Sequence, residues 1–169
     1  MSSPFKIVPF DKRFDRENFE CSSEELNNYL RKQASQDVKK HVSSCFLVID
    51  SNQKMLGYYT LASMSVPLLN LPEALRKKLP RYPSVPAVLL GRLAVDKQAQ
   101  GKGLGQALVG NALKKVIRSE IAAYALIVDA KDEQAVAFYR KLGFIPFLNE
   151  TRHLFFPLEK VREFIEKQS

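Results

Sequence analysis

Three glycines within six residues, in Gln100-Gly101-Lys102-Gly103-Leu104-Gly105, follow the apolar run Ala87 to Asp96. They precede a stretch in which Leu104, Leu108, Ala112, Leu113 and Val116 recur at helical spacing. That order predicts a buried strand, a glycine loop and a helix. Glycine lets the backbone come close to an anion, and the unpaired N–H groups at a helix start meet it with the favourable end of the helix dipole. The chemistry on offer is the holding of a pyrophosphate or a similar group. The loop lacks the Gly-Lys-Ser/Thr ending of a Walker loop, and its GxGxG spacing late in the chain is not the early GxGxxG of a dinucleotide fold. On spacing alone, a loop that only turns the chain stays open.

The elements that must position this loop can be read on either side of it. Phe5 to Phe10 predicts a first strand. Ser22 to Glu25 has the Ser-x-x-Glu form of a capping box before a helix with Leu26, Tyr29, Leu30, Ala34 and Val38 on its apolar stripe. Cys45 to Ile49 and Met55 to Val66 flank a turn-like DSNQK and predict a hairpin. Five prolines, Pro67, Pro72, Pro80, Pro83 and Pro86, then mark a connector with one short helical stretch, Pro72 at its first position. After the loop come a buried strand, Ala123 to Ala130, and a helix capped by Asp132 and ended at Gly143. FIPFL, HLFFPL and an amphipathic tail, EKVREFIEK, close the chain. No repeat or low-complexity segment is seen.

The chain has 169 residues and a net charge of +8, which predicts one domain and favours phosphate-bearing or acidic partners without selecting one. Cys21 and Cys45 form no CxxC pair, and His41 and His153 lie far apart, so no metal-ligand set can be read. The N-terminal segment resembles neither a signal sequence nor a membrane span, which predicts a cytoplasmic protein with reduced thiols.

The glycine loop between strand and helix resembles the acyl-CoA motif of the GNAT superfamily of N-acetyltransferases, Arg/Gln-x-x-Gly-x-Gly/Ala. A second mark of that superfamily, Asn-x-x-Ala followed by Tyr before Gly-Phe, is matched by the run Asp132 to Phe144, with Asp132 in place of the Asn and Tyr139 as the tyrosine. The two motifs in this order are far more specific than the loop alone. FECSSEELNNYLRKQASQDVKK, GYYTLA, LPRYPSVPAVLLGRLAVD, VDAKD and LFFPL make nearly the whole chain similar to the acetyltransferase toxins of toxin–antitoxin modules. The family's Phe-x-Cys-Gly stands here as Phe19-Glu20-Cys21-Ser22.

The resemblance implies an α/β fold with a mixed central sheet flanked by helices. It implies acetyl-CoA as donor, without a metal, and the α-amine of aminoacyl-tRNA as acceptor, with translation inhibited. It also implies a ribbon-helix-helix antitoxin as partner and a homodimer. Around acetyl-CoA it places Leu93, Ala94, Val95, Gln100, Gly101, Lys102, Gly103, Leu104, Gly105, Asp132 and Phe138. The loop amides would hold the pyrophosphate, and Leu93 and Val95 would offer backbone edges to the pantetheine arm. Tyr139 would donate a proton to the leaving sulfur, a role worth about 10²- to 10⁴-fold in rate.

No base stands out: Asp96, Asp129 and Asp132 have no visible claim. An α-amine, at about 7.7–8.0, is already partly neutral where a lysine, at about 10.4, is not, which tilts the acceptor toward an α-amine with water taking the proton. Arg31, Lys32, Lys39, Lys40, Arg76, Lys77, Lys78, Arg81 and Arg92 are the candidates for tRNA phosphates. Arg92 stands out as a charge within an apolar strand, which needs a partner or a way to water. The rival readings are a GNAT enzyme acting on a small-molecule amine or a protein N-terminus, and a non-catalytic acyl-CoA-binding module.

Overall fold

The structure is a computed structural model that describes residues 5–161. Seven strands follow the order β1-β2-β3-β4-β5-β7-β6. They are β1 (Phe5–Pro9), β2 (Ser44–Asp50), β3 (Met55–Pro67), β4 (Ser84–Val95), β5 (Ala125–Asp129), β6 (Ile145–Phe147) and β7 (Glu150–Pro157). The helices are α1 (Glu24–Asn28), α2 (Ala34–Lys39), α3 (Glu73–Arg76), α4 (Leu104–Ile117) and α5 (Glu133–Lys141). Most of the tail EKVREFIEK lies outside the described residues. No helix among the described residues is long and apolar enough to cross a membrane.

The chain divides into two compact units, one made of the residues up to Ala62 with Gly91–Gly110, the other of Ser63–Leu90 with the residues from Asn111 on. In the first unit, β1, β2 and β3 are antiparallel neighbours. Their strand alternation sends Leu47, Ile49 and Tyr58 into a core with Phe14, Phe19, Tyr29, Leu30, Ala34 and Ala94. Cys21 and Cys45 are buried there as free thiols, and burial pushes Cys45 up to about 12, which leaves it unreactive.

The helix over this core departs from a regular α-helix. Residues Tyr29–Gln33 form a π-turn between α1 and α2, with the Ala34 amide reaching back to the Tyr29 carbonyl. Its cap differs from the sequence reading too. Ser23, not Ser22, is the N-cap, its hydroxyl accepting from the Leu26 amide at 3.3 Å. Asn27 shows why the start is set here: it is buried, accepts from the Cys21 amide at 2.8 Å and donates to the Cys21 carbonyl at 3.3 Å. Asn27→Leu leaves both Cys21 groups without partners, at a cost of about 2–4 kcal/mol. A thermal melt is expected to show Tm lower by roughly 5–15 °C, and an unchanged Tm would refute the role.

In the second unit β4 and β5 pair in parallel, from Ala87↔Ala125 to Leu90↔Val128, and β7 pairs antiparallel with both β5 and β6. Val66, Leu68, Leu71, Val85, Ala87, Ala125, Ile127 and Phe155 form its core. Pro72 is the N-cap of α3 and not its first helical residue. The strand expected over Ala87–Asp96 begins earlier, at Ser84. It is less enclosed than its apolar run suggests, since Val88, Leu89, Arg92, Leu93 and Val95 are only half-buried.

Candidate active site

The glycine loop is fixed at its entrance by Asp96, whose buried carboxylate accepts from the Gln98 amide at 2.9 Å and the Glu20 amide at 3.0 Å. That bonding makes Asp96 a structural anchor. Gln100 donates from its side chain to the Val95 carbonyl at 3.3 Å, closing the loop onto the end of β4. Gly101 and Gly103 have φ of 79° and 77°, the left-handed region that side chains disfavour. The Gly103 carbonyl takes the first helical bond of α4, from the Ala107 amide at 3.1 Å. The first-turn amides from Leu104 to Gln106 are therefore left without intrahelical partners, beside an exposed Lys102. The strand, glycine loop and helix follow in the order the sequence predicts, with the first-turn amides of the helix open at the loop.

Leu93 and Val95 flank Ala94, whose side chain is core. Gly57 on β3 crosses this strand so closely that a Cβ would stand 2.8 Å from the Ala94 carbonyl oxygen. A bare backbone at Gly57 keeps in place the strand whose edge was expected to receive the donor's arm.

Tyr139 belongs to the second unit. Asp132 caps α5 through its carboxylate, accepting from the Ala135 amide at 2.8 Å, so the residue in the Asn position is engaged in capping. The helix unwinds at Leu142 and Gly143, the latter at φ 107°, and Phe144 folds back to donate to the Tyr139 carbonyl at 3.1 Å. The Tyr139 ring, 6% exposed, is held edge-on by the half-buried Phe138 at 5.1 Å and by Phe144 at 5.4 Å between centroids. Its hydroxyl makes no hydrogen bond among the described residues and is not enclosed. Burial, reinforced by the charge of Asp129, pushes the phenol well above its ordinary value. Tyr139 therefore stays protonated at neutral pH, with a proton to give and no acceptor for it among the described residues.

The basic residues separate by what holds them. In the first unit Arg31 donates to the backbone carbonyls of Arg16, at 3.3 Å, and Phe19. It ties a loop down, a use the sequence does not reveal. Lys32, Lys39 and Lys40 are exposed. The guanidinium carbon of Arg92 stands over the Tyr29 ring, 3.6 Å from its centroid, and no carboxylate or carbonyl among the described residues accepts a hydrogen bond from the guanidinium. Tyr29, read from the sequence as plain core, is thus a platform. Its hydroxyl donates to Asp37 at 2.8 Å, and burial and then Asp37 push it up to about 12. In the second unit Arg76 is half-buried, Lys77 pairs with Glu73 at 3.3 Å, and Lys78 and Arg81 are exposed.

Residues 9–144 match the model of the acetyltransferase (GNAT) family. The chain belongs to the GNAT family. A tRNA-acetylating toxin of Mycobacterium tuberculosis (strain ATCC 25618 / H37Rv) is 32% identical over 166 residues, covering 97% of this chain and 96% of the relative. Among solved structures, AtaT complexed with acetyl-methionyl-tRNAfMet superposes with a TM-score of 0.89 at 31% identity, covering 95% of this chain and 99% of that one. A tyrosine-to-phenylalanine variant of AtaT bound to acetyl-CoA and the C-terminus of the antitoxin AtaR gives 0.79 at 28% identity, covering 96% and 98%. The mixed seven-stranded sheet with flanking helices is the GNAT fold.

Proposed function

We propose that this GNAT chain is a toxin that transfers acetyl from acetyl-CoA to the α-amino group of aminoacyl-tRNA and so blocks translation. The observation that carries the reading is Tyr139, a protonated phenol on α5 whose hydroxyl makes no hydrogen bond among the described residues, together with the likeness to AtaT complexed with acetyl-methionyl-tRNAfMet. Residues 1–169 act as one acetyltransferase domain. The amides at Gly101–Gly105 take the pyrophosphate, and the exposed edge of β4 at Leu93–Val95 takes the pantetheine. As the amine attacks the thioester carbonyl, charge develops on sulfur and Tyr139 protonates it. The partners are charged tRNA in the cytoplasm, a ribbon-helix-helix antitoxin and a second copy of the chain.

The test is transfer of labelled acetyl from acetyl-CoA to a pool of charged tRNA, with deacylated tRNA and small amines as controls. Label on charged tRNA alone supports the reading. Label confined to small amines hands it to the small-amine rival.

Acceptor binding is expected to distinguish two arginines. Arg92→Gln removes the guanidinium stacked on Tyr29 and raises KM for charged tRNA about tenfold, with a shallower salt dependence and a Tm lowered by only a few degrees through loss of the ring contact. Arg31→Gln frees two backbone carbonyls and lowers Tm, with less effect on KM. Equal behaviour of the two would remove Arg92 from the acceptor site.

A further inference from the structure

The sequence offers no base for the acetyl transfer, but the pairing of β5 with β7 assembles a candidate. Asp129, the last residue of β5, stands opposite His153 of β7, and His153 Nε2 lies 3.5 Å from the Asp129 carboxylate. The other ring nitrogen, Nδ1, meets the carboxylate of Glu150 at the start of β7. The imidazole is thus bracketed by two carboxylates, one at each nitrogen. No lysine or arginine among the described residues pairs with Asp129. Arg152, one residue before His153 and so on the other face, is turned to the Lys131 carbonyl at 3.5 Å.

Strand alternation fixes which way this group faces. Ala125 and Ile127 share a face with Asp129 and pack in one core with Phe155, which shares a face with His153. Phe156 points the other way, to Phe144 at 5.4 Å, and Phe144 in turn holds the Tyr139 ring. Asp129 and His153 therefore lie on the face opposite the one α5 covers, yet the charge of Asp129 is felt at the Tyr139 hydroxyl. The pairing of β5 with β4 stops at Val128, one residue short of Asp129. The end of β5 thus carries a carboxylate with 58% of its side chain exposed, whose charge acts on the phenol held on the other face.

We infer that Asp129 receives the acceptor: its carboxylate binds the α-ammonium and takes the proton that the nitrogen sheds, while His153 holds the carboxylate and Glu150 holds the imidazole. This rests on the reading of the chain as an amine acetyltransferase. The nitrogen lone pair forms the C–N bond to the thioester carbonyl carbon, and the C–S bond breaks with its electron pair on sulfur. Asp129 takes the proton whose loss frees the lone pair of the α-ammonium, Tyr139 gives the sulfur its phenolic proton, and the second proton, shed by nitrogen once the C–N bond has formed, passes to water. Exchange with water then restores both groups. Asp129 is thus a catalytic residue, and His153 and Glu150 are positioning residues.

The experiment follows acetyl transfer by the full chain to charged tRNA from about pH 6 to about pH 9, a range spanning the ordinary α-amine value of about 7.7–8.0. Wild type is compared with Asp129→Asn, Asp129→Glu and His153→Gln, with KM for acetyl-CoA and Tm recorded for each. Asp129→Asn is expected to lower kcat/KM for charged tRNA about tenfold or more at neutral pH, without changing KM for acetyl-CoA. The loss shrinks toward the alkaline end, where the amine has already shed its proton. Asp129→Glu recovers part of the activity, and His153→Gln gives a smaller loss of the same pH shape. An Asp129→Asn profile equal to wild type, or depressed equally at every pH, would overturn the inference. Should wild type acetylate a small amine and not charged tRNA, the functional reading fails by itself, and the same variants on that amine decide the role of Asp129. No transfer to any amine overturns both.

Discussion

Tyr139→Phe is expected to lower kcat for acetyl transfer by roughly 10²- to 10⁴-fold, equivalent to about 3–5 kcal/mol of barrier. The fold should be indifferent to the change. The ring keeps its edge-on contacts with Phe138 and Phe144, and the hydroxyl that is removed has no hydrogen bond within the described residues to lose. Because burial and Asp129 hold the phenol protonated, the variant loses a donor and not a charge, so affinity for acetyl-CoA should be kept. Single-turnover transfer of labelled acetyl, with a thermal melt beside it, separates these effects. A variant as fast as wild type would remove Tyr139 as the acid, whereas a slow variant with a lowered Tm would point to packing.

Replacing both Gly101 and Gly103 by alanine is expected to raise KM for acetyl-CoA roughly 30-fold or more, with kcat at saturation little changed. Nothing lies within 4 Å of a Cβ built at either position, so no clash is involved. The cost is conformational: φ of 79° and 77° cost a non-glycine residue about 1–2 kcal/mol each. An alanine loop relieves that strain by turning its amides away from the pyrophosphate. Titration of acetyl-CoA onto the double variant measures the loss directly, and wild-type affinity would mean that the loop shape is not what binds the donor. Lys102→Ala, which removes one exposed charge and leaves the backbone intact, should cost much less.

These two residue sets were legible in the sequence because their physics is local. A strand, a glycine loop and a helix start are consecutive, and Asp132, Tyr139 and Gly143 fall within one helix and its ends. The strands were legible for the same reason, as runs of apolar alternation between turn residues. What escaped depends on partners distant along the chain. Asp129 and His153 have no signature until β5 and β7 pair, and Tyr29 looks like any stripe residue until Arg92 of β4 stacks on it. Arg31 looked like one more surface cation because the carbonyls it binds, those of Arg16 and Phe19, carry no side-chain signal. Ser22 and Ser23 compete on equal local terms, and Asn27, folding back onto Cys21, decides between them.

The widened turn at Tyr29–Gln33 amounts to one extra residue in the helical count. In an unbroken α-helix each residue advances about 100° around the axis, so everything from Ala34 onward lies about that far from where a regular helix would put it. Asp37 reaches the Tyr29 hydroxyl in this offset register. A relative whose helix is regular throughout can be aligned here only by opening a one-residue gap between positions 29 and 33. Without that gap, the lysines at 39 and 40 would be matched to positions on a different side of the helix, and a comparison of surface charges between the two proteins would be wrong from the turn to the end of α2.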